Sequence, residues 1–335
     1  MGYRRTMALV GALGLLIVAS SFFVGRYLVG IPEVLAIVAS KIVPVEQTWS
    51  NVTDSVVWDI RIPRILIALL AGAALSSAGT AYQGVFKNPL VSPDILGVSA
   101  AAGFGAALSI ILFGTVTWLT AAFAFAMGVA GVACTYMLGR FNGNVSTVSL
   151  VLGGMVVKAL FDAGISCMKY MADADEQLPA ITFWLMGSLS SADWSDVALC
   201  APVVLLGCTL LALLSWKINI LTLGDKQARS MGLDVRRMRA AVIAVATAMS
   251  AAVVCVCGTI GWVGLVIPHI SRMLVGADYR KCLPASIALG APFLLLMDNI
   301  SRAMLETSIP ISIVTAFVGA PCFALLLRKT RGGAI

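Results

Sequence analysis

The sequence predicts an all-α, polytopic membrane protein of about ten transmembrane helices with both termini in the cytoplasm, and composition, charge placement and glycine distribution carry that expectation. Of 335 residues, 60% are apolar and 12% charged, where a soluble domain averages about 45–50% and about 25%. At roughly 20 residues per span, that apolar share fills about ten helices and leaves only short connections. A large catalytic or nucleotide-binding domain and a sizeable soluble receptor domain are both excluded. The net charge of +7 does not point to nucleic acid, because the charges segregate by segment. Basic residues crowd Arg4 and Arg5, Lys217 through Arg239, Arg272 with Arg280 and Lys281, and Arg328 through Arg331. Acidic residues crowd Glu33, Glu46, Asp54 and Asp59, then Asp173, Asp175 and Glu176, then Asp193 and Asp196, and Glu306. The two sets alternate along the chain, so the positive-inside rule places the first in the cytoplasm and the second outside.

Apolar windows place the spans at 7–29, 60–86, 95–113, 117–138, 147–171, 195–215, 240–257, 260–275, 282–301 and 311–328. The first run follows Arg4 and Arg5 as a cleaved signal would, but Met7 to Val29 is 23 residues, against about 7–15 for a signal core, which predicts a retained span. Glycines such as Gly72, Gly79, Gly103, Gly128 and Gly154 lie inside the spans, as expected where helices approach closely in lipid. One transmembrane domain over 1–335 follows, with a cytoplasmic segment near 216–239; internal repetition is limited to a weak echo between the second to fifth and seventh to tenth spans. Residues 30–59 form an outer connection carrying Trp49 and Trp58, and residues 177–196 are amphipathic and too short to span, as a surface or re-entrant helix is. Eight cysteines fall mostly in apolar segments without metal or redox spacing and read as packing residues.

No G-x-x-x-x-G-K-[ST] phosphate loop occurs, and His269 is the single histidine, so neither a His-based metal cluster nor a conventional triad can be built. Carboxylates deep in the spans are scarce, Asp162 being the clearest, where a proton-coupled carrier needs such groups near the midplane. Energy for transport is therefore expected from another chain. Lys87-Asn88-Pro89-Leu90-Val91-Ser92-Pro93-Asp94 joins the second and third spans: Pro89 stops one helix, Ser92 suits the cap of the next, Pro93 its first position and Asp94 its positive end. Gln83 and Asn88 add uncharged hydrogen-bonding groups at the membrane boundary, as a gate uses. Leu221 to Arg239 reads either as a solvated basic loop or as a short amphipathic helix, with Asp225 and Arg229 as an i,i+4 pair, Leu223, Ala228 and Met231 apolar or small, and Gly232 as its cap. Lys158 and Asp162, also i,i+4, read as a self-neutralising pair or as groups facing a substrate. His269 and Arg272 mark the inner end of the eighth span.

Arg61-Ile62-Pro63-Arg64, Gly72-Ala73-Ala74-Leu75, Gly79, Gln83, Asn88-Pro89-Leu90 and Leu96-Gly97-Val98 resemble the amino-terminal signature of the FecCD family, the permease subunits of type II ABC importers for iron chelates, haem and cobalamin. Further matches follow in order: Phe183-Trp184-Leu185-Met186-Gly187-Ser188-Leu189, Leu223-Gly224-Asp225 with Ala228 and Gly232, Gly261 through Arg272, Asp278-Tyr279-Arg280, Leu283-Pro284, Asp298 with Arg302, and Thr315 through Pro321. The resemblance covers about residues 60–325. It departs at Ser308 and Ser312, where the family usually has Glu and Gly, and at Trp262, where Phe is commoner.

The resemblance implies a homodimer with the pathway on its two-fold axis, in the bacterial cytoplasmic (inner) membrane. It implies two ATP-binding cassette subunits holding ATP and Mg, no cofactor bound covalently to this chain, no metal ligands, no chemistry of its own, and a substrate-binding protein docking outside. Asn88, Pro89 and Leu90 are implied to form a cytoplasmic gate, opposed by Ser146, Thr147 and Val148, the last less polar than the family's usual serine. Leu223, Gly224, Asp225, Ala228 and Gly232 are implied to couple to the ATPase, with Gly224 and Ala228 small enough to seat closely. Arg61, Arg64 and Arg302 are implied to receive carboxylates from the binding protein, for which the planar guanidinium fork is suited, with snorkelling to lipid phosphates as the alternative. Gln83, Lys158 and Asp162 are candidates for the pathway wall. The expected function is the permease subunit of an ATP-driven importer of a metal chelate, a ferric siderophore first and haem or cobalamin next. The alternative of another class is an ion- or proton-coupled secondary transporter.

Overall fold

Backbone groups inside a bilayer must be satisfied within their own segment, and this chain answers with helices almost throughout. The computed structural model describes residues 2–25, 27–141, 144–304 and 308–331. Among them lie fourteen α-helices: α1 Tyr3–Ser21, α2 Ile31–Ser40, α3 Asn51–Ser55, α4 Ile62–Phe86, α5 Val98–Phe113, α6 Thr117–Leu138, α7 Thr147–Met171, α8 Gln177–Met186, α9 Trp194–Thr222, α10 Asp225–Ser230, α11 Val235–Cys257, α12 Val263–Val275, α13 Tyr279–Met304 and α14 Ile311–Arg331. A π-turn over Val56–Arg61 joins α3 to α4, a 3-10 turn over Pro93–Leu96 leads into α5, and a minimal hairpin pairs Arg140–Phe141 with Asn144–Val145. Seven segments are long and apolar enough to cross a bilayer: α1, α3 continued into α4, α6, α7, α9, α11 and α13. The other three expected spans are met by the shorter apolar helices α5, α12 and α14.

Tertiary bonds move some boundaries away from those of the apolar windows. The first helix stops at Ser21, not near 29, because Ser20 and Ser21 turn their hydroxyls onto the Ile17 carbonyl and the Arg61 guanidinium takes the carbonyls of Phe22 and Tyr27. The eighth span is shortened by an irregular stretch after α11, where Gly258 (φ 69°) and Trp262 (φ 70°) both adopt left-handed backbone. Here α8 ends at Gly187 (φ 71°), packed so tightly that a Cβ would sit 2.5 Å from the Thr259 carbonyl oxygen. Thr259 Oγ1 donates to the Leu185 carbonyl (2.5 Å) and Ser188 N to that of Cys257 (2.9 Å), so the predicted short amphipathic helix is docked onto the α11–α12 break. The connection 30–59, expected on the outer side, is not open loop: Val29, Val34, Ile37, Trp49 and Val57 close a small core of their own.

The main core is organised around α4, whose residues from Ala71 to Phe86 are all buried. Small residues allow this. A Cβ on Gly72 would lie 2.1 Å from the Gly290 carbonyl oxygen of α13, and one on Gly79 would lie 2.0 Å from that of Gly264 in α12. Hydroxyls then fasten the contact: Ser76 Oγ donates to the Ser286 carbonyl (2.9 Å), Thr80 Oγ1 to Ser286 Oγ (2.8 Å), and Tyr82 Oη shares a hydrogen with Thr247 Oγ1 (2.9 Å).

The two ends of the bundle differ in charge. At one, here the basic face, the connections 87–92, 223–234 and 276–278 meet: Lys87 reaches Asp225, and Asn219 reaches Asp278. At the other, the acidic face, α1, α4 and α13 end together around Asp298, and Trp194 donates its indole N–H to the Trp58 carbonyl (3.0 Å).

Candidate functional site

At the basic face, α4 ends in a Schellman-type cap: Lys87 N donates to the Gly84 carbonyl and Asn88 N to that of Gln83 (3.3 and 3.2 Å), with Lys87 itself in the left-handed region at φ 53°. The turn that follows is self-bonded, Leu90 N donating to Asn88 Oδ1 (2.9 Å), and Asn88, Pro89 and Leu90 all stand exposed. Pro93 opens the next turn as expected, whereas Ser92 makes no side-chain cap and Asp94 takes the Ser99 hydroxyl instead. Ser146 caps α7 by accepting from Ser149 N (3.0 Å), leaving Thr147 partly exposed and Val148 exposed. Among the described residues no hydrogen bond joins these two predicted gate segments within one chain; they are tied further in, where Gly154 lies so close to the Ile95 carbonyl that a Cβ would be 2.1 Å away.

The predicted coupling segment is a helix, α10, and two expectations about it need correction. Asp225 does not pair with Arg229. Its carboxylate takes Lys87 Nζ (3.1 Å) and both oxygens take Arg239 Nη2 (3.1 Å each), because the Arg239 side chain is buried at the foot of α11. Ala228, expected to seat in a partner, is fully buried against this chain's own core. What faces outward are the residues flanking α10, Leu223 before it and Met231 after it, both more than half exposed. Gly224 (φ 118°) begins the helix, and Gly232 (φ 79°) closes it as read from sequence, with Leu233 N donating to the Ala228 carbonyl (3.0 Å). Burial raises the Asp225 pKa, but Lys87 and Arg239 outweigh that and hold the carboxyl below its usual range. Asp278 is likewise depressed, first by the Asn219 side-chain amide (2.7 Å) and then by Arg280.

Of the pathway candidates, Gln83 is buried inside the chain, donating to the Val91 carbonyl (3.2 Å) and accepting from Arg272, so within one chain it braces the turn. Lys158 and Asp162 stand exposed on the outward side of α7, and among the described residues no ion pair links them. They border a cavity of about 590 Å³ with Asp94, Ser99, Trp262 and Ser312.

The three arginines do converge at the acidic face, although 241 positions separate Arg61 from Arg302 in the sequence. They are not free forks. Arg64 is buried and bidentate on Asp298 (Nε 3.0 and 3.1 Å, Nη2 2.8 Å); Arg302 Nε lies 3.1 Å from the same carboxylate, and Arg61 is committed to the Phe22 and Tyr27 carbonyls. Two arginines share one acid and a third stands beside them, and the three border a cavity of about 390 Å³ with Tyr27 and Ser308; positive charge is in local excess, but the guanidinium groups are neither surface-free nor lipid-facing. Nothing in the sequence marks Lys87 and Arg239 as Asp225's partners, since only the fold brings α4, α10 and α11 together.

A bundle of spanning helices with charges exposed midway along one of them, and polar turns gathered at one end, defines a multi-pass membrane protein of the transport kind. The model of the FecCD transport family matches residues 12–329, and the chain belongs to that family. It is similar to the molybdate import system permease protein MolB of Haemophilus influenzae, with 38% identity over 314 residues, 93% of this chain and 92% of that one. It is similar to the hemin transport system permease protein HmuU of Yersinia pestis, with 33% identity over 293 residues, 84% and 87% of the two chains. A solved structure described as an inward-facing conformation of a metal-chelate type ABC transporter matches with TM-score 0.88 and 36% identity, over 97% of this chain and 99% of that one. The protein is thus a multi-pass inner-membrane permease of a transport family, not a catalytic chain.

Proposed function

We propose that two copies of this chain form the pathway of an ATP-driven importer for a metal chelate, a ferric siderophore in the first instance, with haem or cobalamin as alternatives. The observation that carries the dimer is the outward side of α7. Lys158 and Asp162 lie near the middle of a 25-residue apolar helix, where a charge turned to lipid costs about 2.5–3.5 kcal/mol on insertion scales. A second copy facing this side encloses them in a watered channel instead. The basic face is then cytoplasmic, with both termini on it, and two ATP-binding subunits carrying ATP and Mg seat against Leu223 and Met231. The binding protein arrives at the acidic face, where the local cluster of Arg61, Arg64 and Arg302 around Asp298 supports short-range capture of its carboxylates. In this reading 1–335 is a single permease domain without a cofactor of its own.

A second substrate reading has one specific support: the similarity to MolB spans 93% of this chain, which favours a small oxyanion. The deciding experiment reconstitutes the permease, its ATP-binding subunits and its binding protein in liposomes, and compares uptake of ferric siderophore, haemin, cobalamin and molybdate. ATP-dependent uptake of a chelate supports the proposal, uptake of molybdate alone replaces its substrate, and uptake without ATP or the ATP-binding subunits moves the chain to secondary transport.

A further inference from the structure

Three elements meet at one carboxylate on the basic face. Asp225 opens α10; Arg239, buried in α11, holds it from below; and Lys87, at the end of α4, holds it from the side of the exposed turn. We propose that Lys87 is a positioning residue of the transport cycle, tying the Asn88–Leu90 turn to α10 through Asp225 so that displacement of the coupling helix carries the gate turn with it. The inference rests on the reading of these two segments as gate and coupling element.

The backbone supports it. Lys87 occupies the left-handed position of the cap, which glycine fills without strain and other residues fill at an energetic cost. The cap's own bonds are all main-chain, so the fold of the turn does not require a lysine there. The ion pair does not explain it by stability either, because with side-chain exposures of 34% and 38% it is of the screened kind that stabilises little. What the lysine supplies is a link between elements far apart in sequence. The link is also asymmetric: the Arg239 side chain, 3% exposed, fixes Asp225 to α11, while Lys87, 34% exposed, adds the turn to that pair. Gln83 and Arg272 brace the other side of the turn, which joins it to α12 as well.

The test uses the permease assembled with its ATP-binding subunits in nanodiscs, with the exposed Cys134 and Cys167 replaced by serine and Leu90→Cys as reporter, read by maleimide labelling with and without MgATP. In the parent complex labelling should change with nucleotide. Lys87→Gly should shrink that change by roughly fivefold or more, while co-elution, ATP hydrolysis and melting temperature are retained or, for melting, raised by relief of the left-handed strain. Lys87→Arg should restore the response. A Lys87→Gly complex that responds like the parent overturns the inference alone, and one that fails to assemble overturns it by making the lysine structural. A parent complex with no response overturns the gate assignment and the inference together.

Discussion

Asp298 serves two arginines at once, and that ratio governs what substitution there does. It is 1% exposed, in contact with Arg64 and Arg302. Removing it strands two buried guanidinium groups, and breaking a buried pair from one side costs about 3–5 kcal/mol. Asp298→Ala is expected to destabilise the detergent-solubilised permease by an amount of that order and so to lower its melting temperature, and an unchanged thermal transition would contradict the buried cluster. The carboxylates of the basic face behave differently because they meet water. Asp225 and Asp278 have folded pKa values below their unfolded value of about 3.9. Their contribution is therefore complete above that value and is lost as pH falls through the depressed folded values. Melting temperature should hold from neutrality to about pH 5 and decline below about pH 4, with a shallower decline in Asp225→Asn. Identical acid limbs in the two proteins would exclude Asp225 as a contributor.

At the scale of the element, α10 separates two roles that its sequence merges. Ala228 faces inward and Leu223 and Met231 face outward. Ala228→Phe should destabilise the permease itself by about 1–3 kcal/mol through overpacking. Leu223→Asp with Met231→Asp should leave its stability within about 0.5 kcal/mol, as surface changes do, yet abolish co-purification with the ATP-binding subunits. If the double variant still co-purifies, α10 is not the seat. The existence of this helix and its Gly232 cap were legible, because capping chemistry is local. Its face was not: Asp225 has a candidate cation four residues on at Arg229, and only the packing of α4 and α11 beside it decides for Lys87 and Arg239. The same division holds elsewhere. The spans follow from hydropathy, while the end of α1 at Ser21 depends on Arg61 and the burial of Gln83 on Arg272, contacts that span 39 and 189 positions and leave no local trace.

At the scale of the whole molecule, the gate reading makes a paired prediction: cysteines at 88 and 147, on segments that do not touch within one chain, should change accessibility together with nucleotide state in the assembled importer. Constant accessibility in every state would count against a gate. The bundle around which this occurs depends on backbone proximity. Gly79→Val places new atoms where the Gly264 backbone already lies, so α4 and α12 must separate and folded yield in the membrane should collapse; normal yield and melting would refute that packing. The burial of α4 also has a consequence for how the protein comes into being. Its hydroxyls at Ser76 and Thr80 find their partner in Ser286, and Arg64 finds Asp298, so the second span is complete only after the ninth has been made. Thr80 and Ser286 are 206 residues apart, which at about 5–20 residues per second is a wait of roughly 10–40 s during synthesis. For that interval α4 lacks its neighbour α13, Ser76 and Thr80 have only carbonyls of their own helix to bond, and Arg64 has no carboxylate partner. A chain truncated before Tyr279 should therefore be cleared by membrane proteases faster than the full chain in a pulse-chase, and equal half-lives would deny it. Birth order thus runs against architecture: the helix that ends up innermost enters the membrane among the first and is the last to be housed.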